Sequence, residues 1–152
     1  MKIAFYKAAS GNFLDRLIDR CTERRGYSHC EFVFSDGMFF SSSPRDGGCR
    51  FKMIDQDPGH WDFVDLPLSQ AEELRLWIEC FALVKSNTRY DFFGVLGFVM
   101  PFKATAGRKF CSESLVYCLQ EAGLFSRKLD ASRLSPSDLQ QMFVADAIHP
   151  RH

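Results

Sequence analysis

The chain has 152 residues, 46% of them hydrophobic and 25% charged, which excludes a disordered polar tract and supplies enough apolar side chains for the core of one domain spanning 1–152. Its 19 basic and 19 acidic residues cancel, so no overall field would draw it to nucleic acid or to an anionic membrane surface.

At the start of the chain, Lys2 stands where a secretory signal would need its apolar region, and no later run approaches a membrane span. A cytoplasmic chain with no signal peptide and no transmembrane segment is expected. The six cysteines (Cys21, Cys30, Cys49, Cys80, Cys111 and Cys118) are spread over a chain with core enough not to need staples, and reduced thiols are expected. No CxxC pair occurs and His and Cys are not clustered, so a structural metal is not expected.

In chain order, residues 2–7 alternate as a strand, with Ile3 and Phe5 on one face and Ala4 and Tyr6 on the other. Ser10-Gly11-Asn12 breaks the run and caps a helix carrying Leu14, Leu17, Ile18 and Cys21 on one side. A charged turn leads to a strand at 27–34, where Tyr27, His29, Glu31 and Val33 share one face and Cys30, Phe32 and Phe34 the other. Ser35-Asp36-Gly37 signals a hairpin into strand 38–43. A three-residue loop would place Ser41 and Ser43 on the face of His29, and a two-residue loop would place Ser42 there. Strands at 49–54 and 61–66 follow, together an antiparallel meander of about four strands.

The second half reads as helical. Ser69-Gln70-Ala71-Glu72 has the form of a capping box, followed by an apolar stripe of Leu74, Trp77, Ile78 and Phe81. After a break at 87–90 comes a dense apolar stretch from Phe92 to Phe102, read as buried helix and loop. A further helix begins at Cys111, with Leu115, Val116, Leu119 and Ala122 at helical spacing and Gly123 as its stop. Ser135-Pro136-Ser137-Asp138 then combines an N-cap with a first-turn proline, opening a short closing helix through Leu139, Met142 and Phe143.

Chemistry concentrates on two residues. Cys111 stands at a helix start, where free N–H groups and the positive end of the dipole favour thiolate. His29 is the histidine on a rigid strand, whereas His60 lies in a Pro-Gly loop and His149 and His152 in a terminal tail. The remaining thiols read as structural: Cys21, Cys80 and Cys118 on apolar helix faces, Cys30 beside Phe32 and Phe34, and Cys49 at a strand start with no base nearby in sequence.

The order Ser-His-x-Glu on a strand, hairpin, polar residue on the next strand, and much later Phe-Cys-Ser-Glu opening a helix resembles the circularly permuted branch of the papain-like NlpC/P60 superfamily, which includes the YaeF/YiiX-like amidases. The resemblance covers residues 29–43 and 90–123. It implies an α+β papain-like fold in which the Cys111 helix packs on a central antiparallel sheet of about four to five strands. It further implies a third polar residue on the strand after the histidine that orients the imidazole. The matching position is Ser41, with Ser43 and Glu31 as alternatives; serine departs from the Glu, His, Asn or Gln common there. The implied activity is a cysteine amidase or peptidase that cleaves an amide or isopeptide bond through an acyl-enzyme, with the backbone N–H groups of Cys111 and Ser112 at the oxyanion. Two alternatives stand beside it: a lipid or thioester acyl hydrolase or acyltransferase on the same site, and a non-catalytic papain-like binding module. The expected partner is a peptide-like or acyl small molecule. No cofactor is expected, because acyl transfer by a thiol and an imidazole needs none.

Overall fold

Alternating apolar residues build the sheet from the first element onward. A computed structural model of the chain describes residues 1–10, 26–91 and 109–148; the helix expected through Leu14 to Cys21 and the aromatic stretch from Phe92 to Phe102 lie outside them. Five strands are formed: β1 (Lys2–Lys7), β2 (Tyr27–Val33), β3 (Phe39–Ser43), β4 (Gly48–Lys52) and β5 (Trp61–Asp65). They make one antiparallel sheet in the order β4-β3-β2-β1-β5. The expected meander is therefore corrected at its end: β5 does not lie beside β4 but returns across the sheet to pair with β1, with Ile3 opposite Val64 and Phe5 opposite Asp62. Edge-to-edge alternation alone could not reveal that return, because β5 has apolar residues for both faces.

Three helices are described: α1 (Gln70–Lys85), α2 (Cys111–Glu121) and α3 (Pro136–Ile148). All three lie against one face of the sheet, where Ile3, Phe5, Cys30, Phe32 and Phe40 meet Leu76, Cys80, Leu115, Leu119 and Leu139 in the main core. The opposite face carries a smaller apolar cluster of Ala4, Val33, Phe39 and Trp61. This α+β architecture follows from period-two strands and period-3.6 helices sharing one dry layer.

The apolar row of α1 differs from the expected one. Leu76, Cys80 and Leu83 face the core, while Leu74, Ile78 and Phe81 are exposed and Trp77 stacks on Phe51. Helix α1 has two apolar rows, and packing against β4 and α2 selects the row with the smaller Cys80. The closing helix is longer than expected, at 13 residues.

Two irregularities shape the site. The β2–β3 hairpin has the three-residue loop, with Phe34 N–H donating to Met38 O and Gly37 at φ +85°. That register puts Phe32 opposite Phe40, and hence Ser41 and Ser43 on the side of Glu31 and His29. The second is a bulge between β1 and β2, where Tyr6 pairs with His29 but Lys7 with Tyr27. The additional residue, Ser28, turns Tyr27 away from the face of His29 and onto the main core, against Phe5.

Candidate functional site

Position 110 is held in place before Cys111 is reached. Gly48 of β4 bridges Arg89, a side chain at Gly48 would collide with the Thr88 carbonyl, and Lys109 N–H donates to Arg89 O at 3.0 Å. From β3, Ser42 Oγ donates to Lys109 O at 2.6 Å. The chain thus enters α2 along the sheet, with Phe110 as N-cap in extended conformation and no side-chain cap on this end. Glu113 reaches back to the N–H of Phe110, leaving the amides of Cys111 and Ser112 to the start of the helix.

By register, Cys111 and His29 belong to opposite faces of β2, since α2 packs beside Cys30. They meet because β2 parts from β3. Paired residues run only from Val33 and Phe39 to Phe32 and Phe40, and one step farther the Cys30 carbonyl takes its hydrogen bond from Ser41 Oγ at 2.7 Å instead of from a strand neighbour. Cys30 and His29 both lie within electrostatic reach of the Cys111 thiol, which their groups perturb together. Cys111 is 3% exposed, and the His29 side chain 15% exposed.

The electrostatics of this junction separate Cys111 from Cys30, Cys49 and Cys80. Hydrogen bonding from Cys30 comes first, and with the charge and hydrogen bond of His29 it outweighs burial and holds the Cys111 thiol well below its ordinary value. Burial dominates elsewhere, pushing Cys30 and Cys80 upward and Cys49 to about 12. Burial also disfavours a charged His29, yet Cys111 and Glu31 together raise it from 6.5 to about 10. Both shifts run toward a thiolate on Cys111 and an imidazolium on His29.

Glu31 occupies the place beside the ring. Its Oε1 lies 3.0 Å from His29 Nε2, leaving Nδ1 as the nitrogen available to the thiol. The expectation of Ser41 as the orienting residue is corrected here, because its hydroxyl is spent on the Cys30 carbonyl. Ser43 accepts the Arg45 N–H at 3.2 Å and lines the cleft near His29 without being brought to the ring. The Glu31 side chain is 2% exposed and is gripped on its other side by Arg50, with Nη1 to Oε2 at 2.7 Å and Nη2 to Oε1 at 2.8 Å. Burial opposes its charge, but His29 and Arg50 hold the carboxyl below its usual range. Ser41 sits opposite Arg50 in the β3–β4 register, so Arg50 crosses over the small serine to reach Glu31. A longer side chain at 41 would block that crossing.

Arg50 is the functional residue that sequence reasoning missed. The available signal was the Arg50–Lys52 alternation on a strand bearing Cys49 and Phe51 inward, which places two cations on the face of His29. Around this network opens a cleft of about 300 Å³ lined by Tyr6, His29, Glu31, Arg50, Lys52 and Trp61 among others. Tyr6 and Trp61 meet edge to face at 5.0 Å and form its apolar wall. Among the described residues, no group of three or more His, Cys, Asp and Glu side chains could hold a metal ion, and no helix is long and apolar enough to cross a membrane.

Comparison with protein-family models, with curated proteins and with solved structures returned no match. The functional reading therefore rests on the site's own geometry.

Proposed function

We propose that the chain is a cysteine hydrolase of permuted papain-like design, cleaving an amide or isopeptide bond by way of an acyl-enzyme. The observation that carries the reading is the pairing of Cys111 at an uncapped helix start with His29, whose other ring nitrogen is held by buried Glu31. The Cys111 thiolate attacks the carbonyl carbon, and the tetrahedral oxyanion is held by the Cys111 and Ser112 N–H groups at the start of α2. Protonated His29 gives its proton to the leaving nitrogen as the C–N bond breaks, forming the thioester. Water then attacks the thioester, giving one proton to His29, and the acid and the original thiolate–imidazolium pair are restored. Leaving-group protonation requires that the amine side lie next to His29, and the cleft that His29 lines is rich in charged side chains.

The test is a panel of amide and acyl activity-based probes applied to wild type, Cys111→Ala and His29→Ala, read by intact mass and peptide mapping. An adduct confined to Cys111, dependent on His29 and turned over by water supports the hydrolase. A panel that favours long-chain acyl probes would move the assignment to a lipid acyl enzyme. Modification no faster than at a model thiol would leave a binding module.

A further inference from the structure

The carboxylate that orients His29 is itself unusually exposed to mispositioning, since Glu31 is two residues from His29 on the same strand face and has rotatable bonds to lose. We propose that Arg50 is the positioning residue of the Cys111–His29 pair, acting through Glu31 by locking that carboxylate in one orientation against the imidazole. This inference rests on the hydrolase reading for its catalytic meaning, and its physical content is the reactivity of one thiol.

The geometry is a three-strand relay on the face opposite the helices. Ser41 on β3 is opposite Arg50 on β4 and lies one residue past the last β2–β3 pair, as Glu31 does on β2, and the guanidinium meets both carboxylate oxygens in a fork. The fork removes the freedom of the carboxylate to rotate, so that Oε1 faces His29 Nε2 and the other ring nitrogen faces the thiol. Arg50 is steadied in turn from the β3–β4 turn, where Asp46 Oδ2 accepts from its Nε at 2.9 Å; Asp46 also takes Lys52 at 3.3 Å. The other groups about the relay are Tyr6 from β1 and Arg45 from the turn. Without Arg50, a carboxyl with 2% of its side chain exposed would lose two charge-assisted hydrogen bonds, and burial would then favour its neutral form. Neutral Glu31 no longer supports an imidazolium, and the thiolate loses its counter-charge. Loss of the Arg50 cation by itself would act on His29 in the opposite direction, so the sign of the change reports which effect governs.

The experiment measures iodoacetamide alkylation of Cys111 across pH in wild type, Arg50→Ala, Arg50→Lys and Glu31→Gln. Arg50→Ala is expected to slow alkylation at pH 6 by about tenfold or more, the scale of one charge-assisted hydrogen bond, and to move the midpoint of the pH profile upward. Guanidinium chloride below its denaturing range should restore the rate in Arg50→Ala, because the vacated position opens on the cleft, whereas urea, equally planar but uncharged, should not. Arg50→Lys, which keeps the cation but not the fork, should fall between. Glu31→Gln should slow alkylation like Arg50→Ala and gain nothing from guanidinium. A wild-type profile that is low and His29-dependent but unmoved, or moved downward, by Arg50→Ala would overturn the role of Arg50 alone. A wild-type Cys111 with an ordinary thiol profile would overturn the activated pair and, with it, the relay.

Discussion

Two of the three described helices begin closed and one begins open. At the start of α1, Ser69 Oγ accepts the Glu72 N–H at 3.4 Å while Glu72 accepts the Ser69 N–H at 2.8 Å. At the start of α3, Ser135 Oγ accepts the Asp138 N–H at 3.1 Å and Asp138 accepts the Ser135 N–H at 3.0 Å. Both are reciprocal capping boxes, which satisfy donors that would otherwise be orphaned. Helix α2 has only the returning half: Glu113 takes the N–H of its N-cap, but the N-cap is Phe110 and has no oxygen to give. The cost is a helix end less stable by about 1 kcal/mol than a capped one. In exchange, the first amides and the dipole of α2 remain for the sulfur of Cys111 and, in the proposed hydrolase, for the oxyanion. A closed start serves stability alone; in the hydrolase we propose, an open start carrying a thiol serves chemistry.

The largest expected effect breaks the comparison at the thiol. Cys111→Ala should remove turnover of any amide or ester found in the probe panel, by on the order of 10⁴-fold or more in kcat, in a variant that remains folded by circular dichroism. Activity that survives the substitution would assign the chemistry to another group.

His29→Ala comes next. It withdraws the counter-charge that holds the Cys111 thiol down, so alkylation at pH 6 should slow by about tenfold or more, and Cys111 should lose its lead over Cys30, Cys49, Cys80 and Cys118 in peptide mapping. Faster labelling of one of those four in the folded wild type would contradict an activated Cys111.

The pair should also leave a signature in stability. His29 is raised from 6.5 to about 10, so its contribution is complete below pH 6.5 and fades as pH climbs to about 10. Cys111 is lowered from 9.0, so its contribution is complete above pH 9.0 and fades as pH falls through its folded value. Between about pH 6.5 and 9 the two trends cancel, since the unfolded chain holds one proton on sulfur and the native chain holds one on imidazole. The difference in unfolding free energy between wild type and the Cys111→Ala, His29→Ala double variant should therefore be flat over that window and decline on both sides. A steady slope across the plateau, measured by denaturant titration, would mean that the two groups are not a thiolate–imidazolium pair.

The smallest effect sharpens the other side of the comparison. Ser69→Ala should cost about 1 kcal/mol of stability, with the Cys111 alkylation rate unchanged. A change in that rate would show that the capping of α1 is coupled to the site.

Much of the fold was legible because its signals are local. Alternation in 2–7 and from His29 to Val33, the Ser35-Asp36-Gly37 turn, the capping box at Ser69, the N-cap at Ser135 and the helix opening at Cys111 each depend on residues a few positions apart, and each is where the sequence places it, whereas the bulge at Ser28 takes Tyr27 off the expected face. Cys111 and His29 were identifiable by the same logic, as a thiol at a helix start and an imidazole on a strand. What the sequence could not decide were quantities set by distant neighbours. The return of β5 to β1, the choice between the two apolar rows of α1 and the reach of Arg50 over Ser41 all depend on which surfaces come together. The orienting group is the clearest case. The resemblance pointed to Ser41, but the parting of β2 from β3 turned that hydroxyl onto the Cys30 carbonyl, and Arg50 with His29 kept Glu31 charged and in place against its burial. Residue type and spacing determine which groups are available, whereas burial and cross-strand register determine which of them is ionised, held and facing the reacting atom.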